Sequence, residues 1–352
     1  MVVRKDIVAI SIPFSAGVVT AALWPPGSDA LWFVAGGACL GATALLCLAC
    51  RPGGQVPALA GLFFLLGLSC SANAALAFAP PGQAVLARKA LSALTGAIDG
   101  ASFPHESTTA LLKALLAGER EGLDRGTVAA FRAAGASHLL ALSGLHLGIL
   151  YGILQKGLSV LGRSPAALLL RSAAGIGASA CYLAMTGAPP SLVRAFLFIC
   201  LYEASRLLPG RERRPLNIFC AALTIQLAVS PGVVRSLGFQ LSYLAMLGIL
   251  LVFPRLDGWY PRGLRVDPVR RIWSAVALTL SCQVFTAPLV WVHFRQFPRY
   301  FLLTNLGALP LTEAFVVCSL PALLPGCPAG IKNLADMLGQ VLVSFLTTVA
   351  AL

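Results

Sequence analysis

Hydrophobic positions along this chain come in long unbroken runs, not in alternation. The runs cover residues 7–24, 30–50 and 56–79. After a polar interval they resume at 136–161, 166–185, 191–208, 216–230, 237–253, 272–293, 300–324 and 331 to the end. Each run approaches the roughly 20 apolar residues that a helix needs to cross the hydrocarbon core. Strands of a membrane barrel would alternate apolar and polar residues, so helices are expected. The pattern predicts an all-α fold, a polytopic helical membrane protein with about ten transmembrane spans. Pro25-Pro26-Gly27 and Pro80-Pro81-Gly82 punctuate the first and third runs.

Residues 81–135 are the one sizeable interval without such a run. Val85, Leu86, Leu91, Leu94 and Ile98 recur with a helical period beside Arg88 and Lys89. A second helix fits residues 108–117. A third fits 125–134, with Asp124 as its N-cap and Gly135 as its stop. The interval is too short for a robust core of its own, so its helices are expected to lie on the membrane surface. Three regions result: N-terminal transmembrane helices at 1–80, an extracytoplasmic amphipathic-helical segment at 81–135, and a second transmembrane domain at 136–352.

Composition agrees with the pattern. The chain has 352 residues, 58% hydrophobic and 11% charged, where a soluble domain carries about 25% charged residues. The net charge of +13 would point to nucleic acid in a soluble protein. In a membrane protein Lys and Arg collect in cytoplasmic loops. Placing the N-terminus in the cytoplasm puts Arg51, Arg163, Arg211, Arg213, Arg214, Arg255, Arg262, Arg265, Arg270 and Arg271 on that side. The opposite loops then hold Arg235, Arg295 and Arg299. The C-terminus falls outside, a placement that one re-entrant segment would reverse. Arg4 and Lys5 precede an apolar run, but further spans follow directly, so no cleavable signal is expected.

The chemistry-bearing residues are few. Nearly all of the ten cysteines lie in apolar runs and read as packing residues. Cys47 and Cys50 have C-x-x-C spacing without a second pair or a nearby His, so no metal and no cofactor are expected. There is no P-loop, Rossmann glycine pattern or metallohydrolase motif, and so no encoded ATP-driven step. Ser143 and His146 share a helix face, and His138 lies on another. Gly144 permits a close helix approach or a local break. This group reads either as the lining or hinge of a translocation path or as an interhelical hydrogen bond. Between residues 186 and 191, Gly187, Ala188, Pro189 and Pro190 mark a tight helical hairpin, with Arg194 a turn later to bind phosphate or to snorkel. Gln240, Ser242 and Tyr243 bring polar groups into one span, and Thr304 and Asn305 into another, followed by Pro310 and Glu313.

At these residues the chain resembles the ComEC family, the inner-membrane DNA channel of bacterial natural transformation. Four signatures carry the resemblance. The first runs from Leu111 to Gly148 and includes Gly118-Glu119-Arg120, Gly122-Leu123, Phe131-Arg132, Gly135 to His138 and Leu139 to His146. The second is Thr186-Gly187, Pro190-Ser191 and Arg194-Ala195. The third is residues 237–245, and the fourth is Asn305 with Pro310. The resemblance implies a channel in the bacterial cytoplasmic membrane that passes single-stranded DNA inward and is not an enzyme. Its motif residues would be Glu119, Arg132, His138, Ser143, Gly144, His146, Gly187, Pro190, Arg194, Gln240, Ser242 and Asn305. Its partners would be single-stranded DNA and membrane lipid, with room for a homo-oligomer and a separate nuclease or helicase-type motor protein. Longer family members carry an OB-like and a metallo-β-lactamase-like domain. Residues 81–105 are too short for the first, and an apolar run stands where the second would follow. On the residues alone an alternative is a proton- or ion-coupled solute transporter, whose buried carboxylate would be Glu203 or Glu313. A third reading is an intramembrane hydrolase using Ser143 with His146.

Overall fold

A computed structural model describes residues 6–23, 55–73, 85–162, 164–207, 214–260, 267–295 and 299–352. The expected span at 30–50 lies outside the described residues. So do both Pro-Pro-Gly stops, Arg4 and Lys5, Cys39, Cys47 and Cys50, and loop residues Arg51, Arg163, Arg211, Arg213, Arg262 and Arg265. Among the described residues every regular element is helical: α1 (Asp6–Leu23), α2 (Gln55–Asn73), α3 (Val85–Gly100), α4 (Glu106–Leu116), α5 (Arg125–Ala133), α6 (Ser137–Leu140), α7 (Gly144–Gly157), α8 (Pro165–Met185), α9 (Pro190–Leu207), α10 (Pro215–Val229), α11 (Leu237–Leu251), α12 (Phe253–Asp257), α13 (Pro268–Phe294), α14 (Phe301–Ala322) and α15 (Ala329–Ala351), with 3₁₀ turns at Leu158–Leu161 and Pro231–Arg235.

Among the described residues six stretches are long and apolar enough to cross a bilayer: Gly144–Leu161, Pro165–Met185, Leu237–Asp257, Pro268–Phe294, Phe301–Ala322 and Ala329–Ala351. Ile7–Leu23, Ala60–Ser71 and Pro215–Val229 are apolar but shorter. The expected count of ten also included α9, which carries Arg194, Glu203 and Arg206, and the 30–50 stretch.

The described chain falls into two compact units. The first draws on residues 1–82 and 197–243 and the second on 83–196 and 244–352, so α9 and α11 are each divided between them. In the first unit α1 and α2 touch backbone to backbone. A Cβ on Gly17 would lie 2.0 Å from the Phe64 carbonyl oxygen, and one on Gly67 would lie 2.1 Å from that of Phe14. Small residues allow this kind of approach between apolar helices. The Ser11 hydroxyl donates to the Cys220 carbonyl (3.1 Å) and accepts from Thr224 (2.8 Å), which ties α1 to α10. Arg235 donates to the Ala22 carbonyl at the end of α1 (2.7 Å).

The core of the second unit joins α4, α5 and α6 to α14 and α15. Leu111, Leu112, Leu115 and Leu116 of α4 and Phe131 of α5 are fully buried with Leu139, Phe315, Leu342 and Leu346. The 81–135 interval thus shares its core with the α14–α15 pair. The interval follows that pair over a long stretch. At one end His105 and Thr108 bond to Asp336. At the other, Thr304 donates to the Ala134 carbonyl (2.8 Å), close to where α15 ends, since Tyr300 reaches the Leu352 carbonyl (3.4 Å).

The caps of α5 form where the sequence places them. Asp124 accepts from the amides of Gly126 (2.8 Å) and Thr127 (3.2 Å). Gly135 has φ +77°. Its amide bonds to the Arg132 carbonyl (3.0 Å) and that of Ala136 to the Phe131 carbonyl (2.7 Å). This is the Schellman pattern, in which a left-handed residue turns the last carbonyls back onto the chain.

Candidate functional site

The expected single span at 136–161 is broken. The one-turn helix α6 ends at Leu140, Ala141 (φ −82°, ψ 135°) and Ser143 (φ −121°, ψ 163°) are extended, and α7 starts at Gly144. Breaking a helix leaves carbonyls and amides without partners, and residues on both sides supply them. Arg120 donates through Nε (3.2 Å) and Nη2 (2.9 Å) to the Leu140 carbonyl. Gly118, at φ +79°, lets the chain turn toward this position. A Cβ there would also lie 2.8 Å from Cδ1 of Leu142. On the far side His146, at the third position of α7, turns Nδ1 back toward the Ser143 amide (3.4 Å) and hydroxyl (3.5 Å). That is the place a Glu or Gln takes in a capping box. The Ser143–His146 separation is longer than the 2.6–3.2 Å of a nucleophile on its base, so the pair has the geometry of a helix cap.

The second signature packs against this break. α8 ends at Thr186, whose hydroxyl donates to the Tyr182 carbonyl (2.8 Å). Gly187 has φ +76° and Ala188 φ +52°, and the Ala188 amide bonds to the Leu183 carbonyl (3.0 Å). Pro190 then opens α9. Gly187 and Pro190 are thus the stop and start of one tight connection. The connection delivers α9 against Gly144. A Cβ on Gly144 would lie 3.1 Å from the Ala195 Cβ, 3.3 Å from Arg194 Nη2 and 3.9 Å from the Ser191 carbonyl oxygen. Gly144 therefore serves both readings of the sequence, as a break in the chain and as a close approach.

His146 is fully buried. Its Nε2 has no hydrogen-bond partner among the described residues. Buried polar atoms are almost always partnered, and this imidazole nitrogen beside the helix break is an exception.

Not every expected site residue joins it. Glu119, Arg132 and His138 are exposed, and His138 Nδ1 lies 3.2 Å from the Gly135 carbonyl. Gln240 donates to the Val234 carbonyl (2.8 Å) and belongs with Ser242 to the other unit. Beside them Tyr243 donates to Gln226 (2.8 Å), so the third signature makes bonds internal to its own unit. Asn305 is half-buried on α14, with its Oδ1 buried and without a partner among the described residues. Arg171 of α8 donates to the carbonyls of Gln155 (3.3 Å) and Gly162 (3.4 Å), closing the α7–α8 hairpin.

Sequence reasoning named Glu119 of the Gly-Glu-Arg motif, yet Arg120 makes the contact. It also passed over Tyr182, whose hydroxyl caps the last carbonyl of α4 at Leu116 (2.8 Å), and Asp336. The two carboxylates of the transporter alternative belong to different units. Glu313 is exposed. Glu203, fully buried, accepts from Arg206 of its own helix (2.9 Å to each oxygen). Among the described residues no group of three or more His, Cys, Asp or Glu could hold a metal ion.

Comparison with known proteins places these features in a family. ComE operon protein 3 of Bacillus subtilis (strain 168) is 27% identical over 236 residues, which is 65% of this chain and 27% of the relative. The uncharacterized protein YcaI of Escherichia coli (strain K12) is 24% identical over 214 residues, 59% of this chain and 28% of the relative. The matched region thus spans little more than a quarter of either relative. No solved structure matches. The family described as Competence protein matches residues 115–352, the stretch that holds the broken helix, the Gly187–Pro190 connection and α15, and this multi-pass helical membrane protein belongs to that family.

Proposed function

We propose that this chain is the membrane core of a DNA-uptake conduit, passing single-stranded DNA inward across the bacterial cytoplasmic membrane with its own N-terminus on the cytoplasmic side. The observation that carries the reading is the helix break at residues 141–143, where the buried His146 Nε2 has no partner among the described residues and, separately, Arg194 Nη2 comes within 3.3 Å of the place a Cβ on Gly144 would take. Family membership supports it, and the name of the Bacillus relative, a ComE operon protein, agrees with it. Irregular backbone at membrane depth is tolerated where it is buried in protein or lines a cavity, and polar groups there mark paths for polar cargo. A cationic side chain suits a phosphodiester backbone, which every sequence presents alike. In this reading the chain moves its cargo unchanged and makes no covalent step. Motor and nuclease work falls to separate proteins, and the arrangement leaves room for a second copy.

The test is uptake of labelled DNA into the cytoplasm of a transformable host whose only family member is this chain. His146→Ala and Arg194→Gln should each lower uptake by roughly tenfold, the scale of a lost phosphate contact, with the protein still present in the membrane. Arg194→Lys should recover part of it. Uptake at the original level in both loss variants sinks the proposal.

A further inference from the structure

The polar cluster at the start of α4 lies apart from the signature site. Asp336 sits on α15, a helix apolar and long enough to span a bilayer, and its side chain is only 7% exposed. A carboxylate in such a place requires donors, and the first turn of α4 supplies them. Asp336 accepts the backbone N–H of His105 (3.1 Å) and the Thr108 hydroxyl (2.7 Å), and its second oxygen lies 2.7 Å from His105 Nδ1. One turn further along α15, Gln340 donates to the Ser107 hydroxyl (2.9 Å) and meets Thr108 Oγ1 at 3.4 Å. A negative charge at a helix N-terminus is favoured by the helix dipole as well. The docked end of α4 is therefore held by one buried carboxylate and one imidazole.

The two members of the pair differ in access to water. Asp336 is enclosed, while the His105 side chain is 61% exposed and can exchange protons with solvent. Histidine is the side chain whose charge changes between about pH 5 and 8. A neutral imidazole gives Asp336 an ordinary hydrogen bond, and an imidazolium gives it a charge-assisted one, which is stronger. We propose that His105 and Asp336 form a proton-responsive latch that docks α4 on α15, firmer in mild acid than in mild alkali.

The surrounding charges leave that sign in place. Glu106 follows His105 and is exposed. Lys113 of α4 is taken by Asp99 of α3 (2.7 Å). Lys332 lies one turn before Asp336 on α15. On the other helices packed against this corner, Glu313 of α14, Arg125 and Arg132 of α5 and His138 of α6 are exposed.

The latch does not depend on what the protein transports, and its test does not use DNA. The full chain is placed in lipid nanodiscs, and hydrogen exchange of the amides of α4 is followed from about pH 5.5 to about pH 8, corrected for intrinsic exchange. Protection should be roughly two- to fivefold higher at the acidic end, the size expected of a part-exposed ion pair. His105→Gln, which can still donate to Asp336 but cannot take up a proton, should flatten the profile. Thr108→Val, which removes a bond to the same carboxylate without touching the titrating group, should lower protection at every pH and leave the slope. A flat profile in the unmodified chain, or a slope that survives His105→Gln, overturns the latch.

Discussion

The α1–α2 crossing and the α6–α7 break hold the chain in irregular or crowded positions by opposite means. At the crossing, two glycines remove side chains so that carbonyls can pass within van der Waals reach. At the break, the helix is opened and side chains from elsewhere fill the bonds it gave up, with Arg120 on one side and the Ser143–His146 cap on the other. The first arrangement tolerates no added volume. The second tolerates volume better than the loss of a donor. Gly144 belongs to both, because it starts a helix and admits α9 at the same point.

The largest test of this contrast adds one methyl group. Gly67→Ala places a Cβ where the Phe14 carbonyl oxygen stands, which should force α1 from α2 and destabilise the protein by roughly 3 kcal/mol or more, read as a loss of folded yield and a lower melting temperature in detergent. Gly148→Ala, on the exposed face of α7 with open space around it, should be neutral or stabilising by up to about 1 kcal/mol. An equal loss in both would remove the distinction between crossing and open helix face.

Donor loss at the break comes next. Arg120→Ala removes both bonds to the Leu140 carbonyl and should cost about 1.5–3 kcal/mol, with faster amide exchange confined at first to residues around the break. Arg120→Lys should recover part of the loss, since an ammonium reaches one carbonyl but lacks the fork. Tyr182→Phe strips the Leu116 carbonyl of its hydroxyl donor and should cost about 1–2 kcal/mol with no change in packing. If Arg120→Ala melts with the unmodified protein, the brace carries no energy.

The smallest effect lies at the start of α13. Tyr260 donates to Asp267 (2.8 Å), and Asp267 caps the amides of Val269 and Arg270. The tyrosine bond first, and the amides with it, hold the Asp267 carboxyl below the usual carboxylate range. Its contribution to stability is therefore present above the pKa of the unfolded carboxyl and is lost as pH falls through the lower folded value. Asp267→Asn should remove this acid-side loss while keeping most of the cap, a difference visible as a slightly flatter acid limb of the melting curve.

These contrasts also explain what could be read from the chain. The ends of α5 were legible because their signals are local: Asp124 precedes the helix and Gly135 follows it. The long apolar helices were legible for the same reason, and their ends fall within a few residues of the expected ones. The break was not. Leu139 to Ile153 reads as one apolar run, and the group that opens it, Arg120, sits 20 residues earlier. The burial of α4 was hidden further off still, because the helices that cover it end the chain. Of the candidate site, the sequence marked Ser143, Gly144, His146 and Arg194. It could not show that two of them meet, or that Gln240 and Ser242 belong to another unit.

The partnership of α4 with α15 has a consequence in time. Thr108 and Asp336 are 228 residues apart. At about 5–20 residues per second a ribosome needs on the order of ten seconds or more to deliver the second after the first. For most of that interval Leu111, Leu112, Leu115 and Leu116 are made before α14 and α15 exist to cover them. Biogenesis of this protein must shield one short apolar helix until α14 and α15 arrive, so a chain stalled before α14 should be its most chaperone- and protease-dependent form.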